Sequence, residues 1–169
     1  MFQLGKRVQA PGMRKQVIEV STALGLTPPF EAIDLVSRIA WTRECLIEVE
    51  PHPMIGYALW GAVGPFLDDR VFFIYYKRDT PKVLRELIIY HELAHIWLGH
   101  VTLESERVFC DGTFIALTTP QQEKDADEWA RCMAAHAQII TGRDLAERLA
   151  TTGTQRFSRY GKMLSHFEV

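Results

Sequence analysis

The segment His91-Glu92-Leu93-Ala94-His95 sets two imidazoles four residues apart, with a carboxylate directly after the first. On a helix this spacing stacks both rings on one face, where they can share a metal ion. Glu92 falls one step round, near enough to reach a water on that ion but turned away from ligating it. Two zinc ligands plus a general base is the equipment of metal-assisted hydrolysis. The bland alternative is a pair of core histidines with satisfied nitrogens.

A hydrolytic zinc site takes at least one more protein ligand and keeps one open position. His100 is close in sequence, but its spacing is wrong for the role. In the HExxHxxGxxH arrangement the turn glycine follows the second histidine by three residues and the third histidine follows by six. Here Gly99 follows His95 by four and His100 by five. His100 therefore reads as a helix-end histidine interacting with the last carbonyls. The better source is EKDADEWA (123–130), where Glu123 and Asp127 are again four apart. Glu123 is expected as the third ligand. Asp127 is expected behind it, accepting the outer N–H of His91 or His95 and fixing that ring's tautomer. Ala126 and Ala130 are small enough to let the two helices approach closely. Asp125 and Glu128 point elsewhere. Read alone, this stretch could equally be a solvated acidic helix start.

These residues need elements to position them. MRKQVIEVSTALG (13–25) and FEAIDLVSRIAW (30–41) have helical spacing. CLIEVE (45–50), YALWGAV (57–63) and VFFIYYK (71–77) are short, aromatic and β-branched, with PFLDDR (65–70) as a turn between the last two. They predict a small antiparallel sheet and an α+β fold. The histidine helix should begin at Thr80 as cap and Pro81 as first residue, and stop at Gly99. Residues 101–120 read as an irregular crossing. Thr119, Pro120 and Gln122 open the acidic helix with a capping box, and it should run to about Ile140. Further helices are expected after Asp144 and over 155–168. Residues 1–12 look irregular, and 13–169 read as a single domain.

The chain of 169 residues is 47% hydrophobic with a net charge of -2, which argues against a basic nucleic-acid-binding face. Three separated cysteines without a CxxC point to a reducing cytoplasm rather than a disulfide framework. The first residues lack the apolar core of a signal peptide, and no apolar run is long enough for a membrane span. A soluble cytoplasmic protein is expected.

HELAHIWLGH, preceded by VFFIYYK and TPKVLRELIIY, resembles the ImmA/IrrE-type zinc metallopeptidases. Their next helix reads Glu-x-x-Ala-Asn/Asp-x-Phe-Ala, and here Glu123, Ala126, Asp127, Trp129 and Ala130 stand in those places, with Trp129 where the family has Phe. The similarity spans residues 13 to about 140. It implies a sheet packed against a helical zincin-type core carrying the HExxH helix. It also implies a zinc-dependent endopeptidase, often one that cuts a helix-turn-helix repressor to switch transcription.

In such a mechanism zinc held by His91, His95 and Glu123 would polarise water and the scissile carbonyl, while Glu92 moves a proton from the water to the leaving amine. Tyr57, His136, Tyr160 and His166 could each stabilise the oxyanion, His136 being poorly placed far along the Glu123 helix. VFFIYYK or YALWGAV could offer a sheet edge to a substrate peptide. A non-catalytic, metal-stabilised interaction module would instead have its fourth metal position closed, for example by His100 or Cys110.

Overall fold

The computed structural model describes residues 12–53, 61–66, 70–110 and 113–137. Two helices come first, α1 (Met13–Ala23) and α2 (Ala32–Arg43), followed by β1 (Leu46–His52), β2 (Gly61–Phe66) and β3 (Val71–Lys77). Then come α3 (Lys82–Trp97), the strands β4 (Arg107–Cys110) and β5 (Thr113–Ala116), and α4 (Pro120–His136). The α+β class expected from the sequence is the class observed. The helices expected after residue 140 lie outside the described residues.

The three-stranded sheet has the order β1-β3-β2. β2 and β3 are antiparallel, but β1 and β3 run parallel, so the sheet is mixed rather than wholly antiparallel. The composition of the strands explains the order. VFFIYYK is the most apolar and takes the centre, where both faces are covered. LIEVEPH carries Glu48, Glu50 and Pro51 and is tolerated only at an edge. β2 also extends through Pro65 and Phe66, which the sequence had suggested for a turn.

Each face of the sheet has a different cover. Phe72 and Ile74 of β3 and Val63 of β2 point into the main core, with Leu87, Ile88 and Leu93 of α3. On the opposite face Ala62, Phe73 and Tyr75 pack with Ile115 of the β4–β5 hairpin. That hairpin occupies what had read as an irregular crossing. Gly64 is what allows β5 to lie so close: a Cβ built there would fall 1.9 Å from the Phe114 carbonyl oxygen.

α3 is buried from Glu86 to Ile96 without interruption, which marks a central helix rather than a surface one. Its polar residues Glu86, His91, Glu92 and His95 are therefore buried too, and buried polar groups require partners. Glu86 finds one in the first turn of α2, where the Ala32 N–H donates to its Oε2 at 2.6 Å. It satisfies a helix-terminal N–H that no residue of α2 itself reaches. Glu86→Ala should lower stability by about 1–3 kcal/mol, read as a lower denaturant midpoint at unchanged m-value. An unchanged midpoint would remove this link between the helices.

α3 begins one residue later than expected. Pro81 is its cap, and the Thr80 hydroxyl closes the preceding turn by donating to the Lys77 carbonyl. α4 begins as expected: Thr119 Oγ1 accepts the Gln122 N–H, and Gln122 Oε1 accepts the Thr119 N–H. This reciprocal cap fixes where the helix starts, and hence which residues of its first two turns face α3. Ala126 and Ala130 are fully buried against that neighbour. Among the described residues no helix is long and apolar enough to cross a membrane.

Candidate metal centre

The two faces that sequence spacing had aligned separately meet where α3 packs on α4. Nε2 of His91 and Nε2 of His95 lie 3.1 Å apart. Glu123 faces both, its Oε2 at 3.4 Å from His91 Nε2 and its Oε1 at 3.7 Å from His95 Nε2, and one ligand atom from each residue makes a triangle with no edge above 4.8 Å. A tetrahedral ion bonded at about 2.0–2.1 Å would hold its ligand atoms roughly 3.3 Å apart. The nearest approaches between the three side chains, 3.1, 3.4 and 3.7 Å, scatter around that length. His91, His95 and Glu123 are thus a group that could hold a metal ion.

The site is deep on one side and open on the other. Both imidazoles are almost wholly buried on α3, whereas the Glu123 side chain keeps 17% of its surface accessible. Thr118, just before the α4 cap, donates its hydroxyl to Glu123 Oε1. No local signal marks this contact, because it depends on how the hairpin enters the helix.

Each histidine is held at the nitrogen remote from the triangle. Asp127 Oδ1 lies 2.7 Å from His91 Nδ1, which resolves the choice between His91 and His95 left open by spacing. A carboxylate there favours a proton on Nδ1 and turns Nε2 toward the triangle, as a metal ligand would require. On His95 the matching contact is with His100, Nδ1 to Nδ1 at 3.2 Å. His100 thus meets the ring of His95 rather than the helix carbonyls, through the side of His95 away from the triangle. Burial lowers the His100 pKa below the ordinary histidine value, against the pull of Asp125 and Glu123.

Electrostatics in the metal-free site follow from the same contacts. Burial disfavours a charged His91, but the carboxylates of Asp127 and Glu123, with the charge of Glu92, outweigh it and raise its pKa to about 9. Burial likewise disfavours ionised Glu123, yet hydrogen bonds from His91 and Thr118 lower its pKa to about 2. A proton on His91 therefore occupies the place that a cation would take.

Glu92 is 4% exposed and lies on the β2 side of α3. A Cβ at Gly61 would sit 2.7 Å from Glu92 Oε1 and 2.4 Å from Ile88 Cγ2, so only a bare backbone fits there. β2 thus runs directly beside the Glu92 carboxylate. Among the described residues β2 is an edge strand of its sheet, whereas β3 is paired on both sides and has no edge to offer. Of the two segments considered as a substrate edge, only Gly61–Val63 of YALWGAV qualifies among the described residues.

His136 is engaged elsewhere. The Ser21 hydroxyl donates to the Ile18 carbonyl, so the 2.7 Å contact with His136 Nε2 makes that nitrogen the donor. With Phe30 against its ring edge, His136 ties α1 to α4 as a structural residue. Tyr57, Tyr160, His166 and the side chain of Cys110 lie outside the described residues. The chain matches no known protein family, no curated protein and no solved structure.

Proposed function

We propose that this chain is a zinc-dependent peptidase whose metal is held by His91, His95 and Glu123 and whose general base is Glu92. The supporting observation is that one ligand atom each from His91, His95 and Glu123 lie within 4.8 Å of one another, with a buried carboxylate next in sequence to His91. The donor set of two imidazoles and one carboxylate is that of hydrolytic zinc sites. A bound zinc ion would supply Lewis acidity toward water and the scissile carbonyl. Glu92 accepts a proton from the attacking water and returns it to the leaving amine. Asp127 holds His91 in the required tautomer. Gly61 of β2, an edge strand among the described residues, lies against Glu92, which suits an extended peptide added there as a further strand. The substrate class that agrees best with the sequence resemblance is a transcriptional repressor of helix-turn-helix type.

The first test is the zinc content of the purified, folded protein beside Glu123→Ala. About one zinc per wild-type chain and a sharp loss in the variant are expected for a three-ligand site. Equal zinc in both would remove Glu123 from the site, and none in either after zinc is supplied would overturn the proposal. Incubation of the zinc-loaded protein with a candidate repressor, read by mass spectrometry of the fragments, then tests peptide-bond cleavage.

Zinc uptake should also release protons with a definite pH dependence. Below about pH 9 His91 is protonated in the metal-free protein, and the ion must displace that proton from Nε2. Glu123 is already ionised and releases none. At pH 7 His91 should therefore give up about one proton per zinc, and affinity should rise roughly tenfold per pH unit toward pH 9 before flattening. Calorimetry in buffers of different ionisation enthalpy measures the release. Uptake without any proton release at pH 7 would contradict the charge state of His91.

A further inference from the structure

We infer that His100 is the positioning residue of His95, the hydrogen-bond acceptor that holds its ring for metal binding as Asp127 holds the ring of His91. The inference rests on the metal-site reading above and adds to it a residue outside the HExxH segment. Its foundation is the 3.2 Å contact between the two Nδ1 atoms. For His95 to present a bare Nε2 to a cation, its proton must sit on Nδ1. Only one hydrogen fits between the two Nδ1 atoms. His95 donates it, and His100 accepts with its own proton on Nε2.

The backbone is arranged to make this contact. α3 ends at Trp97, and Gly99 takes φ +73°, a left-handed conformation that glycine adopts without strain. The chain turns back there, and the Val101 N–H donates to the His95 carbonyl at 3.0 Å. The same turn returns the His100 ring to the side of His95, edge-on, with centroids 5.3 Å apart. His95 is thus gripped twice by the turn that follows it, at its carbonyl and at its ring. This gives a reason for the five-residue spacing: it is too short for a third ligand of the HExxHxxGxxH kind and right for a residue behind the second one.

The asymmetry of the two supports is informative. Asp127 brings a charge, and His100 brings none when it acts as an acceptor. A partner behind a metal-bound histidine commonly contributes about 10- to 100-fold in metal affinity. Zinc affinity is therefore to be measured by competition with a chelating indicator for the wild type, His100→Leu and His100→Asn. Leucine fills similar space and cannot accept. Asparagine places its carbonyl oxygen near the position of Nδ1 and can. The expected result is a loss of about 10- to 100-fold for His100→Leu and retention of most of the affinity in His100→Asn. In the zinc-loaded wild type, the His95 Nδ1 proton should be visible by NMR and slow to exchange, and His100→Leu should lose that protection.

If His100→Leu binds zinc as tightly as wild type, or if both variants lose affinity equally, His100 does not act through its acceptor and the inference falls. A wild type that takes up no zinc overturns the metal site together with this inference. Should His100→Leu fail to fold, the NMR signal in the wild type and His100→Asn decides: an unprotected His95 Nδ1 proton in both overturns it.

Discussion

Glu92→Gln is expected to keep its zinc and lose hydrolysis, with turnover of a cleaved substrate falling by roughly 100- to 10,000-fold. The amide has nearly the volume of the carboxylate, so the close fit against Gly61 and Ile88 survives the exchange. What disappears is the ability to accept a proton. Glu92 is not one of the three atoms of the triangle, so metal content should be unchanged. The combination matters more than either result alone. Loss of activity with loss of zinc would mean that Glu92 supports the site structurally, and full cleavage by a zinc-loaded Glu92→Gln would refute its role as base. A protein that uses its metal only as a structural clamp would keep its zinc in both forms and cleave nothing in either.

The second large effect is on stability. Gly64→Ala should destabilise the fold by about 3 kcal/mol or more, since overpacking that cannot relax exceeds the usual range. The added carbon would fall 1.9 Å from the Phe114 oxygen and 3.0 Å from its carbonyl carbon, both backbone atoms. No side-chain rotation relieves that contact, so the β4–β5 hairpin must lift from the sheet. Lifting uncovers Ala62, Phe73, Tyr75 and Ile115 together. A melting temperature lower by about 10 °C is expected for a chain of this size. Gly12→Ala is the control, because nothing lies within 4 Å of a Cβ there. Equal melting temperatures for the two variants would show that the hairpin is not seated on the sheet as described.

Local signals in the sequence were legible, and contacts between distant elements were not. Thr119, Pro120 and Gln122 specify the start of α4 among themselves, and the phase of Glu123 and Asp127 follows from it. The apolar run on α3 identifies a buried helix from its own residues. The placement of β3 between β1 and β2 is a choice among pairings that no single strand encodes. β4 and β5 have four residues each, too short for alternation to register, although Asp111-Gly112 between them is a recognised two-residue hairpin sequence. Gly61 and Gly64 carry no side chain to signal anything. Their importance lies in which atoms stand opposite, Glu92 for one and Phe114 for the other. His100 was read from its spacing as a non-ligand near helix carbonyls. The left-handed turn at Gly99, which sends it back to His95, is a tertiary fact.

The three corners of the triangle sit in regions of unequal mechanical depth. His91 and His95 belong to a helix enclosed on every side, whose amide protons should exchange with solvent only when the whole domain opens. Glu123 stands in the first turn of α4, just inside the Thr119 cap, and helix ends open locally at far lower cost. An ion would therefore enter and leave by way of Glu123, with the imidazoles stationary. Its residence time would be governed by the fraying of a single helical turn rather than by the unfolding rate of the protein.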